Sequence, residues 1–242
     1  MRSKTLTSLL KSGSFLGAAL LFCTSVLAAD SVDRNGVYLA PGWGKLSFDA
    51  PAAGTYSLPA LELAAGGQLL DTNSNTVELN DLLGEKVSLL SFIYRTCDDV
   101  NGCPLSTMVL YSVANRFSEQ PELADQLRLL TVSFDPQGDT PEAMREYEQS
   151  ILSDSKLDWH FLTSESSMQI QPVLDAYQQS VVADPKSEGG KGKFSHILRV
   201  YLIDQKKQIR NIYNLSFLHP DILVNDVKTL LMEATDKDIA KQ

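Results

Sequence analysis

A nearly continuous apolar run at residues 86–94 constrains the fold of this chain more than any other feature of its sequence. The run reads Lys-Val-Ser-Leu-Leu-Ser-Phe-Ile-Tyr. An apolar segment of this length without strict alternation predicts a strand that is covered on both faces of its sheet. Because helices are the usual cover for such a strand, the sequence predicts an α/β fold.

The segments around this strand alternate between strand and helix patterns. A hairpin is predicted over residues 66–80 with its turn at 73–75, and further strands at residues 127–134, 159–162, 195–203 and 209–215. Helices are predicted at residues 104–117, 141–152, 168–177 and 221–234. Strand–helix–strand–helix followed by an antiparallel hairpin and a helix is the thioredoxin-like order, with a central mixed sheet flanked by helices.

The N-terminal residues have the pattern of a targeting segment. Basic residues precede an apolar stretch at residues 15–27, which ends in small residues, including Val26 and Ala28 at spacing suited to signal peptidase. We predict a cleaved signal peptide at residues 1–29, with a membrane anchor at residues 14–29 as the alternative. Export implies an oxidising compartment, and the small-residue ending indicates the bacterial periplasm, with the anchored form lying close to the membrane.

The remaining chain is divided into an arm or small hairpin at residues 30–60 and one domain at residues 61–242. A lipoprotein cysteine at Cys23 is disfavoured because Phe22 is too large for the small residue that this processing requires before the cysteine. The formal net charge of −9 and the absence of a dense basic cluster argue against a nucleic-acid partner.

Two cysteines, Cys97 and Cys103, lie between the strand at 86–94 and the helix at 104–117. A thiol at a helix N-terminus has a lowered pKa, because the helix dipole and free N–H groups stabilise the thiolate. The five residues between the cysteines include Gly102, so the loop can bring the two sulfurs together. A dithiol, a disulfide and a two-sulfur metal site all fit this pattern.

One of the three histidines, His196, is the candidate third ligand. It begins the strand at 195–203, directly after a glycine- and lysine-rich loop at 183–193, which we expect to be mobile and to control the access of His196. His160 and His219 are predicted to be ordinary core or surface residues. Two thiolates and one imidazole suit Cu(I), and they hold Cu(II) with an added oxygen ligand, whereas structural zinc requires a fourth protein ligand.

Four stretches in order resemble the Sco/SenC family of copper-binding, thioredoxin-like proteins, over about residues 61–231. They are the strand and cysteine pair ending at Pro104, Val132-Ser-Phe-Asp-Pro-Gln-Gly-Asp-Thr-Pro141, Trp159-His-Phe-Leu-Thr163, and Phe194-Ser-His196 with Val200-Tyr-Leu-Ile-Asp204. The resemblance implies copper bound by Cys97, Cys103 and His196. It also implies delivery of copper, or of reducing power, to the dinuclear copper centre of cytochrome c oxidase or a similar copper enzyme, with a thiol reductant protein as a second partner.

Two features depart from the family pattern. The family has three residues between its cysteines, and the extra pair here most resembles an insertion at Asn101 and Gly102. Ser195 precedes the histidine where many relatives carry an acid, so a carboxylate that orients the imidazole has to come from elsewhere, with Asp135 and Asp99 as candidates.

Two other functions are compatible with the same residues. In an exported thiol-disulfide oxidoreductase or thiol peroxidase without copper, Cys97 is the nucleophile, and Arg95 and Thr96 are the neighbouring groups that a peroxidatic cysteine needs. Replacing His196 would leave such an activity nearly unchanged. In an inert thioredoxin-like domain, Cys97 and Cys103 form a structural disulfide and no metal binds.

Overall fold

The computed structural model describes residues 36–152, 158–184 and 194–239. The predicted signal peptide or anchor, the first residues of the arm, and residues 185–193 of the glycine- and lysine-rich loop lie outside the described residues. The strands are β1 Glu62–Leu63, β2 Gln68–Leu70, β3 Thr76–Glu78, β4 Val87–Ile93, β5 Leu127–Ser133, β6 Trp159–Leu162, β7 Val181–Ala183, β8 Phe194–His196, β9 Val200–Ile203 and β10 Gln208–Tyr213. The helices are α1 Leu79–Leu82, α2 Cys103–Ser118, α3 Pro121–Ala124, α4 Pro141–Leu152, α5 Ser167–Ala176 and α6 Pro220–Ile239.

A six-stranded mixed sheet forms the centre of the described part of the chain. Its order is β1-β10-β9-β4-β5-β6. Strands β4, β5 and β6 are parallel, whereas β9 runs antiparallel to β4, and β10 and β1 continue the antiparallel edge. This topology confirms the predicted thioredoxin-like α/β fold.

The predicted central strand is buried along its whole length. Each of the seven residues of β4 is buried, because helices and the β2–β3 hairpin cover the two faces of the sheet. The first apolar layer contains residues of α2, α4 and α6, and the second contains residues of α5, β2 and α1. Residues of β4 contribute to both layers, with Leu89 in the first and Leu90 in the second. Burial on both faces therefore explains the unbroken apolar run.

The prediction of a single strand at residues 195–203 is wrong. The structure divides this segment into β8, which pairs with β7 in a separate two-stranded ribbon, and β9, which pairs with β4 in the main sheet. The pairing of β9 with β4 ends at Val200 opposite Ser91, so the residues before it leave the main sheet. The break separates His196 from the main sheet and places it on the ribbon.

The arm at residues 36–60 forms no hairpin in the part that the structure describes. Its one regular element is a single 3₁₀ turn at Pro41–Trp43. The arm nevertheless contributes to the apolar layer that includes α2 and α6, where Ala40 is only 3% exposed. Across residues 36–152, 158–184 and 194–239, no helix combines the length and the apolar character needed to cross a bilayer.

Candidate functional site

The two cysteines lie where the central strand ends and α2 begins. Cys97 follows β4 by one turn, in which its backbone N–H donates to the Tyr94 carbonyl at 3.2 Å. Cys103 is the first residue of α2, and Gly102 is the N-cap. We call residues 98–102 the thiol loop. A Cβ atom at Gly102 would lie 3.2 Å from the Cys97 sulfur, so glycine leaves room for that thiol beside the helix.

The two thiols are free and occupy different environments. Cys97 is partly buried and borders an open cleft, whereas Cys103 is 2% exposed. Hydrogen bonds from the Cys103 side chain and backbone lower the pKa of Cys97 despite its partial burial. The same thiol–thiol contact and burial raise the pKa of Cys103. The lowered pKa predicted for the thiol at the helix N-terminus is therefore wrong for Cys103; the thiol with the lowered pKa is Cys97, whose sulfur accepts a hydrogen bond from the Cys103 backbone N–H.

His196 lies beside this pair, as the sequence predicted. Its Nε2 atom is 3.5 Å from the Cys103 sulfur. The histidine reaches this position because β8 holds it opposite Val181 in the two-stranded ribbon. Its Nδ1 atom is buried and has no hydrogen-bond partner within the described part of the chain. Burial lowers the pKa of His196, against the opposing effects of the Ile197 backbone and the negative charge of Asp99.

Aromatic rings surround His196, and this aromatic cluster was not predicted from the sequence. The His196 ring packs against Phe134, with centroids 4.8 Å apart, and against Tyr94 at 6.3 Å. Phe194 completes the cluster by contacting both Tyr94 and Phe134. The Tyr94 hydroxyl contacts the Cys97 thiol, and burial together with that contact raises the pKa of Tyr94. The Tyr-x-x-Cys spacing was visible in the sequence, but nothing in it indicated that the ring turns back toward the thiol.

Carboxylates near the site differ in what they contact. Asp99 lines the same cleft as His196, and its negative charge acts on the imidazole. Asp99 is therefore the better candidate for the carboxylate that orients the imidazole, a role that Ser195 cannot fill. Asp135 turns back into its own loop, where it accepts a hydrogen bond from the Gly138 backbone at 3.2 Å.

Asp139 ties the turn after β4 to the turn before α4. Its carboxylate accepts hydrogen bonds from the Arg95 backbone at 2.8 Å and from Ser133 at 2.6 Å. The Arg95 guanidinium also approaches Asp139, with Nε 3.6 Å from Oδ1. Arg95 is therefore directed toward Asp139, which gives no support to the role that a thiol peroxidase would assign to it.

An open cleft of about 430 Å³ gives access to Cys97 and His196. Its lining also includes the acidic residues Asp98 and Asp99 and the apolar residue Leu215. Within residues 36–152, 158–184 and 194–239, no three His, Cys, Asp or Glu side chains are arranged so that they could hold a metal ion as they stand. The predicted ligands are therefore neighbours, but side-chain rotation is required before all three can meet one ion.

The other two histidines have structural contacts elsewhere. His160 lies on β6, and its Nε2 atom is 2.8 Å from Asp158, the residue just before that strand. His219 is buried and donates from Nε2 to the Gly44 carbonyl at 3.0 Å, which fastens the arm to the start of α6.

A thioredoxin-like fold with a thiol pair and an imidazole at the end of its central strand defines a class of proteins that exchange thiols or bind soft metal ions. The family model described as SCO1/SenC matches residues 61–232. The chain therefore belongs to the SCO1/SenC family. A search of curated proteins finds no match.

Solved structures of Sco proteins have the same fold. Copper-bound ScoI of Bradyrhizobium japonicum is 26% identical, with 69% of this chain and 99% of that chain covered and a TM-score of 0.57. Copper-bound yeast Sco1 is 22% identical, with 75% and 96% covered and a TM-score of 0.54. BsSco, described as a Sco-family cytochrome c oxidase assembly protein with a disulfide switch, is 22% identical, with 72% and 98% covered and a TM-score of 0.56.

Proposed function

We propose that this protein binds one copper ion through Cys97, Cys103 and His196 and transfers it to a copper enzyme. The observation that carries the proposal is that the three side chains are neighbours beyond one end of the central strand, with His196 Nε2 3.5 Å from the Cys103 sulfur. Thiolate sulfur and imidazole nitrogen are the donor types that suit Cu(I).

The surroundings of the three residues support exchange of the ion rather than permanent storage. Cys97 borders the open cleft, so an incoming ligand from a partner can reach the metal there. Within the described residues, the His196 Nδ1 atom lacks the hydrogen-bond partner that usually orients the imidazole of a resident metal ligand.

The acceptor that we propose is the copper centre of cytochrome c oxidase or a similar copper enzyme. Two relatives support this: Bradyrhizobium japonicum ScoI has been solved with copper bound, and BsSco is described as a cytochrome c oxidase assembly protein. A thiol reductant protein is the proposed second partner, because copper binding requires both cysteines to be reduced.

Location and domain division complete the proposal. Residues 1–29 are a signal peptide or, in the alternative, residues 14–29 are an anchor, and residues 61–242 act in the bacterial periplasm. Residues 30–60 form the arm. An oxidising compartment suits a protein whose cysteine pair alternates between a dithiol and a disulfide.

An anaerobic Cu(I) titration against a competing chelator tests the metal site. All proteins in this test carry Cys23→Ser, so that Cys97 and Cys103 are the only thiols. We expect one copper per chain, and we expect His196→Ala to weaken binding at least tenfold because one of three ligands is lost. His160→Ala is the matched control and leaves the affinity unchanged. Equal affinities for the two histidine variants would refute the proposed ligand set.

A thiol-disulfide reductase without copper is the second candidate. The contrast between Cys97, with a lowered pKa and access to the cleft, and the buried Cys103 supports it, since such pairs attack a disulfide with one thiol and resolve the mixed disulfide with the other. A disulfide-reduction assay distinguishes the two candidates. Activity that survives His196→Ala in a chain that binds no copper would favour the reductase, whereas no reduction by either cysteine would favour the inert disulfide.

A further inference from the structure

We propose that residues 38–43 of the arm, here called the strap, position the thiol loop and thereby set how closely Cys97 and Cys103 are held. The inference rests on the proposed thiol and copper chemistry of this pair. It gives a role to a segment that precedes residues 61–232, the part of the chain that the family model matches.

The first contact of the strap is with Asn101 of the thiol loop. The Asn101 side-chain oxygen accepts a hydrogen bond from the Ala40 backbone N–H at 2.8 Å. Its side-chain nitrogen donates to the Tyr38 carbonyl, also at 2.8 Å. The amide therefore pairs with alternate residues of the strap in the way that the backbone of a neighbouring strand would.

The second contact involves the residue just before Asn101. The indole Nε1 of Trp43 donates to the Val100 carbonyl at 3.1 Å, and the Trp43 ring packs against the apolar layer that includes α2. Two consecutive residues of the thiol loop are thus held from outside the loop. The loop also has bonds of its own, from the Asn101 and Gly102 N–H groups to Asp99 at 3.0 and 2.8 Å.

The strap is firmly seated on the helix that begins with Cys103. A Cβ atom at Gly42 would lie 2.3 Å from the Leu218 carbonyl oxygen and 2.9 Å from the Leu105 side chain, so no larger residue fits there without movement. Leu105 is in the first turn of α2 and is fully buried. Since the strap contacts both α2 and the thiol loop, it links Cys103 to the loop that carries the chain back to Cys97.

A loop of five residues gains from such a link. A flexible loop of five residues has more conformations than one of three, so fixing it in the conformation that keeps the sulfurs in contact costs more entropy. Asp98 and Asp99 are exposed and add no apolar packing to the loop. The strap supplies the missing constraint, since it holds the loop in the conformation in which the two thiols touch.

The rate at which the two cysteines react with each other tests this role without copper. In Cys23→Ser protein, the Cys97 thiolate attacks an aromatic disulfide reagent, which forms a mixed disulfide and releases one coloured thiolate. Cys103 then loses its proton to solvent and attacks the Cys97 sulfur, which forms the Cys97–Cys103 disulfide and releases a second coloured thiolate. The first step measures access to Cys97, and the second measures how well the loop holds Cys103 against it.

Asn101→Ala is the test variant and Asn225→Ala is its matched control. The Asn225 side chain also donates to the arm backbone, at the Pro51 carbonyl 2.8 Å away, but it does not contact the thiol loop. We expect Asn101→Ala to slow the second step about threefold to tenfold, because the loosened loop lowers the effective concentration of one thiol at the other. We also expect amide hydrogen exchange at positions 101 and 102 to rise in the same variant.

Trp43→Phe provides an independent variant, since it keeps the aromatic packing and removes only the N–H that donates to Val100. We expect it to slow the second step in the same direction. The second step, in which the Cys97–Cys103 disulfide forms, is called thiol closure. If Asn101→Ala and Trp43→Phe both behave like Asn225→Ala in the rate of thiol closure and in hydrogen exchange, the strap has no positioning role.

Failure of the strap and failure of the copper site give different results. If copper does not bind to the parent protein but Asn101→Ala still slows thiol closure, the positioning role of the strap is supported and the copper proposal is refuted. If copper binds and Asn101→Ala has the same copper affinity and the same rate of thiol closure as Asn225→Ala, the positioning role of the strap is refuted and the copper proposal is supported. With both correct, Asn101→Ala weakens Cu(I) binding about threefold to tenfold.

Discussion

The two cysteines flank one short loop, yet their side chains have opposite environments. Cys97 borders the open cleft and receives hydrogen bonds that stabilise its thiolate, whereas Cys103 is buried beneath it at the start of α2. The difference gives each sulfur its own role. Cys97 is the group that a partner protein or an incoming ion meets first, and Cys103 acts after it.

Alkylation measures this difference directly. In Cys23→Ser protein treated briefly with iodoacetamide at pH 7, we predict that Cys97 is modified at least tenfold faster than Cys103, since the thiolate is the nucleophile and Cys97 is both accessible and easier to ionise. Peptide mass spectrometry gives the two rates. Equal rates in the folded protein would contradict the assignment, and denatured protein is the control in which equal rates are expected.

Site residues were predictable from the sequence only where their chemistry, such as thiol or imidazole chemistry, belongs to one or a few residue types. Cysteine and histidine are rare in this chain, so Cys97, Cys103 and His196 stood out and the structure brings them together. Tyr94 and Asn101 did not stand out. Their contributions depend on contacts with other parts of the chain, and for Asn101 the partners lie about sixty residues away in sequence.

Among the secondary-structure elements, buried strands and amphipathic helices were predicted nearly to their ends. For β4, β5, β6 and α4 the pattern within each segment reflects burial against the two apolar layers. The segment at 195–203 was predicted less well, because an apolar run does not show which sheet each part joins. The division at residues 197–199 follows from pairing partners, β7 for β8 and β4 for β9, which periodicity does not encode.

A polar cluster joins the starts of three parallel strands. Asp158, next to β6, accepts hydrogen bonds from Lys86 next to β4 at 2.7 Å and from Arg128 on β5 at 3.1 Å, and it lies 2.8 Å from His160. Burial alone would raise the pKa of Asp158. The hydrogen bonds from His160 and Lys86 and the charge of Arg128 outweigh burial, so the pKa lies below its usual range.

Stability should therefore depend on the charge of Asp158. A depressed carboxyl pKa stabilises the folded state above the unfolded pKa of about 3.9, and this contribution is lost as the pH falls through the folded value. We predict that Asp158→Asn lowers the free energy of unfolding by about 1–3 kcal/mol at pH 7. The difference from the parent protein should shrink steadily as the pH falls below about 4.

Urea unfolding at several pH values checks this prediction. The control is Asp221→Asn, which removes a carboxylate from a more exposed ion pair with Arg116 and should change the free energy of unfolding by about 0.5 kcal/mol or less. A difference for Asp158→Asn that stays constant between pH 7 and pH 3 would show that its charge is not responsible.

Across the whole molecule, the arm is part of the folded structure rather than an appendage. Besides the strap, it places Tyr56 against α6, where the Tyr56 hydroxyl donates to Asp226. Asp226 is 4% exposed and also accepts hydrogen bonds from Tyr213 at 2.7 Å and from Asn211 at 2.9 Å. No function of the arm was predictable from the sequence, because polar contacts of this kind leave no periodic pattern.

Removing the Tyr56 hydroxyl measures how strongly the arm is bound. We predict that Tyr56→Phe lowers the free energy of unfolding by about 1–2 kcal/mol, since a buried carboxyl loses one of its three donors. Tyr111→Phe, on the exposed side of α2, is the control and should have little effect. If the two variants unfold at the same urea concentration, the arm contributes little to global stability.

X-ray absorption of the Cu(I)-loaded protein tests whether Cys97, Cys103 and His196 bind copper. For Cys23→Ser protein loaded with one copper per chain, we predict a spectrum with two sulfur ligands and one imidazole nitrogen. In His196→Ala the imidazole scattering should disappear while both sulfur ligands remain. Imidazole scattering that persists in His196→Ala, or a copper ion without two sulfur ligands in the parent protein, would contradict the account.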